Sequence, residues 1–266
     1  MNKVNWFIRI TRLFRLVLWL LRVMQRFSKL SDANLHQREQ VLQQSAQEAL
    51  SVLGITLHSN KLPESHKPNS QAQGLLLAAN HISWLDIMAI CALYPCGFIA
   101  MKEIKNWFII GKIVQNAGTI FIDRRNRKDI EPINAAIVQR LQQGMNVCFF
   151  PEARTTSGSD VLPLKAALFQ AAINSQSAIQ VLALRYYEHN QRTEEVSFEK
   201  VNLWVSLWKI VSLENLTVRI DVADLIYPQP NDDRFTLKEQ AEIFLRQIIS
   251  SDSPNHSLDK QYNKNI

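Results

Sequence analysis

The feature that most constrains this chain is a series of short apolar runs alternating with helix-period segments from Gly74 onward. The runs span 75–79, 97–101, 119–122, 147–150, 179–187 and 216–222. Helical patterns are expected near 84–93, 107–116, 130–143, 163–174, 201–211 and 237–249. A strand that is apolar at nearly every residue has no face to give to water. It therefore belongs inside a sheet that is covered on both sides. The expected fold class is α/β, with a mainly parallel mixed sheet flanked by helices. In such sheets, sites gather where the carboxyl ends of strands meet helix starts. Hydrophobic residues at 47% can supply a full core, and seven glycines with 20% charged residues argue against a disordered chain.

The N-terminal stretch 1–27, MNKVNWFIRITRLFRLVLWLLRVMQRF, has a different pattern. Arginines recur along its whole length and no small-residue cleavage site follows, unlike a secretory signal. Its longest apolar run, 16–21, falls far short of the ~18 residues a membrane span needs. At about 100° per residue, Arg9, Arg12, Arg15, Arg22 and Arg26 share one arc. Trp6, Phe7, Ile10, Leu13, Phe14, Val17, Leu20, Leu21 and Met24 cover the other side. That is a basic amphipathic helix, suited to lying in an anionic headgroup layer. A second helix is expected over 35–53, with a thin stripe of Val41, Leu42, Ala46, Ala49, Leu50 and Leu53, ended by Gly54. A polar connection, 58–73, follows. The expected organisation is an N-terminal two-helix membrane-binding appendage (1–57), an α/β domain (74–250) and a mobile polar tail (251–266).

The formal charge of +6 admits nucleic acid, anionic lipid or a phosphorylated substrate as partner. Nucleic acid is set aside because the arginines sit on an apolar, tryptophan-bearing helix and no nucleic-acid motif occurs. Cys91, Cys96 and Cys148 form neither a C-x-x-C pair nor a cluster with histidine. They read as reduced thiols of a cytoplasmic compartment, with no metal site and no disulfide framework.

Polar residues collect at the expected strand ends. The first run leads into Asn80-His81, the third into Asp123-Arg124-Arg125, and the fourth into Pro151-Glu152-Ala153-Arg154-Thr155-Thr156. His81 precedes a helix start, and Asp86 lies about one turn in. From there a carboxylate can hold one imidazole nitrogen and leave the other free as a general base. Ser and Asn near a helix start are also ordinary caps, so spacing alone leaves both a structural and a catalytic reading open. Hydrolysis by an activated water stays open as well.

Asn80-His81-Ile82-Ser83-Trp84-Leu85-Asp86 resembles the N-H-x-S-x-x-D motif of the glycerolipid acyltransferases, the lysophosphatidate acyltransferase family. Gly118-Thr119-Ile120-Phe121-Ile122-Asp123-Arg124 is similar to the family's G-x-x-F-I-D-R motif, and Phe150-Pro151-Glu152 opens its third, F-P-E-G-T-R-S. The resemblance covers roughly residues 30–225, with the motifs in family order. It implies His81 as base and Asp86 as its orienting partner, with the acceptor hydroxyl as nucleophile and no acyl-enzyme. Arg124 would hold the acceptor's phosphate, a task suited to the guanidinium fork, and Glu152 would help build the acceptor site. Asn80, Ser83, Arg154, Thr155, Lys102 and Lys165 are the further substrate-binding candidates. Two departures bear on the acceptor: Ala153 stands where the family has glycine, with the arginine one place early at Arg154, and the run 179–186 lacks the usual proline. The L-R-Y run and the segment with Trp204 and Trp208 look closest to bacterial members, including those that acylate lyso-ornithine lipid.

The resemblance implies transfer of a fatty acyl chain from acyl carrier protein or coenzyme A to a lysophospholipid. The expected acceptor is 1-acyl-sn-glycerol 3-phosphate, with lyso-ornithine lipid as the alternative. A thioester hydrolase and a non-catalytic membrane-binding relative are the lesser readings. No cofactor is expected beyond the thioester co-substrate. The expected place is the cytoplasmic face of the inner membrane, with peripheral or monotopic attachment through the N-terminal helix.

Overall fold

The computed structural model describes residues 4–29, 34–61, 73–107, 110–122 and 130–251. Helix α1 (Trp6–Ser28) and helix α2 (Leu35–Leu53) come first. Asn34 and Gln37 close a capping box at the start of α2. Gly54 ends it with φ 71°, a left-handed turn that suits glycine. Strand β1 (Ile55–Ser59) follows at once, running into the stretch read from sequence as a connection. It escapes notice there because it is an edge strand: only Ile55 is buried, so its pattern is short and half polar.

The body then alternates as expected. It contains β2 (Leu76–Ala79), α3 (Leu85–Leu93), β3 (Gly97–Met101), α4 (Ile110–Asn116), β4 (Ile120–Ile122), α5 (Ile130–Gln142) and β5 (Val147–Phe149). After these come α6 (Gln170–Ser175), β6 (Ile179–Glu188), β7 (Gln191–Arg192), α7 (Leu203–Ser212), β8 (Leu216–Val222) and α8 (Arg234–Ser250). The helix expected over 163–174 is shorter than its pattern. Leu164 gives its backbone N–H to Glu242, and Lys165 gives its own to the Pro151 carbonyl. Residues 163–166 are thereby tied to neighbours instead of to a helical ladder.

The sheet order is β1-β8-β6-β2-β5-β3-β4, with β7 hairpinned onto β6. All pairings are parallel except β6 with β7 and β6 with β8. Alternate residues of the continuous apolar strands separate cleanly between two cores. Leu77, Ala79, Leu182, Leu184 and Tyr186 face the layer containing α3 and α7. Leu76, Ala78, Ile179, Val181 and Ala183 face the layer of α5, α6 and α8. Strand β6 is buried along all ten residues, which explains its mostly apolar reading.

One charged pair interrupts that strand. Arg185 donates to Asp221 on β8 at 2.6 Å, with both side chains nearly excluded from solvent. Removing one partner takes the charge-assisted bond from the other in a low-dielectric interior. Asp221→Ala is expected to cost about 3 kcal/mol of folding stability, read as a lowered midpoint in urea unfolding. An unchanged midpoint would show that the pair contributes nothing net.

Candidate functional site

Strands β2 and β5 are neighbours, with Ala78 opposite Phe149. Their carboxyl ends therefore emerge side by side and bring Asn80-His81 next to Phe150-Pro151-Glu152. Asn80 extends the sheet by one residue: its side chain donates to the Leu184 carbonyl and accepts from the Leu184 N–H. That doubly bonded amide fixes where His81 leaves the strand. The His81 ring lies flat on Phe150, with centroids 3.8 Å apart and planes 9° from parallel.

Asp86, in the first turn of α3, is fully buried. Its Oδ2 receives His81 Nδ1 at 2.8 Å, the Ile82 N–H at 2.7 Å and the Ser83 N–H at 2.9 Å. Its Oδ1 accepts from the Tyr186 hydroxyl at 2.7 Å. A helix N-terminus also favours a carboxylate there. An oxygen already accepting from two backbone N–H groups requires the imidazole to donate as well. Nδ1 therefore carries a proton, and Nε2 is left as the basic nitrogen. The His81 side chain is 19% exposed, so a substrate can reach it.

Glu152 secures the loop beyond β5. One carboxylate oxygen accepts from the His81 backbone N–H at 2.8 Å and the other from Leu162 at 2.9 Å. Burial raises its carboxyl above the usual glutamate range, opposed by those two backbone bonds. The Thr156 N–H returns to the His81 carbonyl at 2.9 Å, and the Phe198 N–H closes on the Ile82 carbonyl at 2.9 Å. Gly158, at φ 85°, packs where a side chain would meet Ile82 at 2.6 Å. The turn carrying His81 is thus clamped from several elements.

The remaining sequence-derived residues fall into distinct places. Ser83 is fully buried, and its hydroxyl has no hydrogen-bond partner among the described residues. Arg154 is exposed and Thr155 half-buried on the loop after β5. Lys102, directly after β3, and Lys165 are exposed. Arg124, expected just beyond the end of β4, lies outside the described residues. Ala153 adopts φ 62°, the left-handed region where the family motif has glycine. A Cβ there carries strain of about 1 kcal/mol.

Sequence reasoning missed Tyr186. Burial, and then the adjoining Asp86 carboxylate, push its phenol well above the usual tyrosine range, so it stays a donor. Within a mostly apolar run its hydroxyl gave no signal; only the adjacency of β6 to β2 reveals it.

Two outcomes follow. Tyr186→Phe leaves Asp86 Oδ1 without this donor, and kcat is expected to fall about tenfold with KM near wild type, since the group orients rather than binds. Equal kcat in the variant would remove Tyr186 from the positioning network. Ala153→Gly is expected to raise stability by about 1 kcal/mol, measured by thermal unfolding; a lower melting temperature would contradict the strain.

The chain is similar to known proteins along nearly its whole length. A family model described as Acyltransferase matches residues 55–185. A 1-acyl-sn-glycerol-3-phosphate acyltransferase of Neisseria meningitidis serogroup B is 43% identical over 253 residues, spanning 95% of this chain and 97% of that one. A lyso-ornithine lipid O-acyltransferase of Pseudomonas aeruginosa is 31% identical over 175 residues, 65% of this chain and 67% of its own. The crystal structure of the 1-acyl-sn-glycerophosphate (LPA) acyltransferase from Thermotoga maritima shares the fold. Its TM-score is 0.69 at 16% identity, over 93% of this chain and 95% of that one. With the expected α/β sheet in place and a relative this similar along nearly its whole length, the chain belongs to the bacterial 1-acyl-sn-glycerol-3-phosphate acyltransferase family.

Proposed function

We propose that this acyltransferase moves a fatty acyl chain from an acyl thioester to the free hydroxyl of 1-acyl-sn-glycerol 3-phosphate. The observation that carries the reading is the His81–Asp86 pair, with Nδ1 held at 2.8 Å and Nε2 left for substrate. Nε2 takes the hydroxyl proton as the acceptor oxygen attacks the thioester carbonyl. The tetrahedral intermediate collapses, the carbon–sulfur bond breaks, and the thiolate leaves and recovers that proton from His81. The nucleophile belongs to the acceptor, so no acyl-enzyme forms. Acyl carrier protein and coenzyme A both fit as thioester carriers.

The choice of acceptor rests on likeness along the chain. The Neisseria relative matches nearly end to end at 43%, the lyso-ornithine lipid acyltransferase over about two thirds at 31%. Arg124 is the proposed phosphate contact, with Lys102, Arg154, Thr155 and Lys165 as further contacts around the headgroup. Glu152, Asn80 and Ser83 shape the site through the turn they hold.

We also place the protein on the cytoplasmic face of the inner membrane through α1. No helix among the described residues is long and apolar enough to cross a membrane. Yet Trp6, Phe7, Ile10, Phe14, Val17 and Leu21 are exposed along one side of α1, a continuous apolar stripe that water alone disfavours. Its basic arc divides between protein and surroundings: Arg12 donates to the Val211 and Leu213 carbonyls and Arg26 pairs with Glu48, while Arg15 and Arg22 stay exposed beside the stripe.

Purified full-length protein, given labelled palmitoyl thioester and a panel of lysolipids, should acylate 1-acyl-sn-glycerol 3-phosphate best. His81→Ala should lower kcat about a thousandfold. Better transfer to lyso-ornithine lipid would overturn the acceptor. Free fatty acid as sole product would indicate hydrolysis, and no turnover, or none lost on His81→Ala, would remove the catalytic role.

A further inference from the structure

Helix α7 lies between α1 and the catalytic turn. The Val4 N–H bonds to the Ser212 carbonyl at 3.0 Å, and Arg12 donates to the Val211 and Leu213 carbonyls. The Arg9 guanidinium sits 5.6 Å from the centre of the Trp208 ring, a cation–π contact joining the two helices. On its other side, α7 receives Trp84 Nε1 on the Ser206 hydroxyl at 3.1 Å. Trp84 stands between His81 and Asp86 in sequence, so a single helix touches both α1 and the reacting turn.

The inner face of α7 is buried through Ser206, Ile210 and Val211. Its outer face is apolar and open: Trp204 is 77% exposed, Val205 45% and Trp208 42%. Nothing among the described residues covers Trp204, yet an exposed tryptophan sacrifices much of its transfer free energy. Trp208 meets Arg9, so this face adjoins α1. Arg9 stands over Trp208 itself, Arg15 and Arg22 are exposed elsewhere on α1, and the chain carries a net +6. Apolar area rimmed by tryptophan and arginine fits an anionic headgroup layer, since the indole seeks the apolar–polar boundary and the guanidinium seeks phosphate.

We infer that α7 is a second bilayer contact, with Trp204, Val205 and Trp208 entering the headgroup region of an anionic membrane beside α1. This rests on the membrane placement of α1 proposed above and adds to it a fixed orientation. One inserted helix leaves the body free to roll about its axis, whereas two adjoining contacts hold it in one attitude. Through Ser206 and Trp84, the second contact holds the turn bearing His81 at a set height over the surface that delivers the acceptor.

The test uses full-length protein with mixed phosphatidylcholine and phosphatidylglycerol vesicles. Cys91, Cys96 and Cys148 are buried free thiols, so Trp204→Cys and Phe14→Cys can each take a polarity-sensitive fluorophore at an exposed site. Vesicles are expected to blue-shift both probes, and a quencher attached to the lipid should dim both. Trp204→Ser combined with Val205→Ser should weaken vesicle partitioning about tenfold with an unchanged melting temperature. A response at position 14 without one at 204, or wild-type partitioning of the double variant, overturns the α7 contact and leaves the α1 reading standing. Silence at both positions overturns both. A 204 probe already shielded without lipid, in a protein of dimeric mass, would mean that a second copy covers this face and would overturn the proposal.

Discussion

The fully buried carboxylate of Asp86 is the constraint around which the site is arranged. An ion of that kind is tolerated inside a protein only when its lone pairs are occupied. Here the occupants come from separate parts of the chain: the Ile82 and Ser83 N–H groups, the His81 imidazole and the Tyr186 hydroxyl on β6. Satisfying the charge therefore fixes the backbone before α3, the rotation of the histidine ring and the packing of α3 on the sheet in one step. The imidazole is oriented because the carboxylate needs it as a donor, and its basicity faces outward as a consequence.

Glu152 applies the same device one strand over. Its two oxygens accept one backbone N–H each from two separate segments, at His81 and at Leu162. A glutamine could accept at one of those positions only, because its amide nitrogen would face the other N–H. The acid in F-P-E is thus explained by bond geometry without any contact to substrate. It also shows why a motif residue need not be a reacting one: Glu152 holds the loop that carries Ala153, Arg154 and Thr155, and Asn80 holds the strand end that carries His81.

How much of this was readable beforehand depended on whether a residue's neighbours are local. Strands buried on both faces announce themselves as runs rich in apolar residues, and β2, β5 and most of β6 were legible for that reason. Strand β1 was not, because an edge strand with one buried position carries too little pattern. The His81–Asp86 contact was legible because it closes within one helical turn. Tyr186 was not: its partner lies 100 residues away, and a phenol in a core strand looks like any other buried aromatic. The arginines of α1 misled in part for the same reason. Glu48 is on the following helix, and the Val211 and Leu213 carbonyls are far along the chain, so no spacing rule could show that Arg26 and Arg12 have partners within the protein.

Those inward arginines change what α1 means physically. In an ordinary surface helix the apolar stripe faces the core and the charges face water. In α1 the interior side holds Trp19, Val23 and Phe27 with Arg12 and Arg26, and the outward side holds Trp6, Phe7, Phe14 and Leu21. Each inward arginine found carbonyls or a carboxylate, so the body gains polar bonds from the helix as well as apolar contact. What remains outside is then more apolar than helix packing requires, and α7 adds two further tryptophans of the same character. Water gives such a surface no favourable interaction at roughly 25 cal/mol per Å² of apolar area, whereas an acyl boundary does. This is the physical ground for setting both helices against lipid. The turn bearing His81 shares this side of the sheet, tied to α7 through Trp84 Nε1 on the Ser206 hydroxyl.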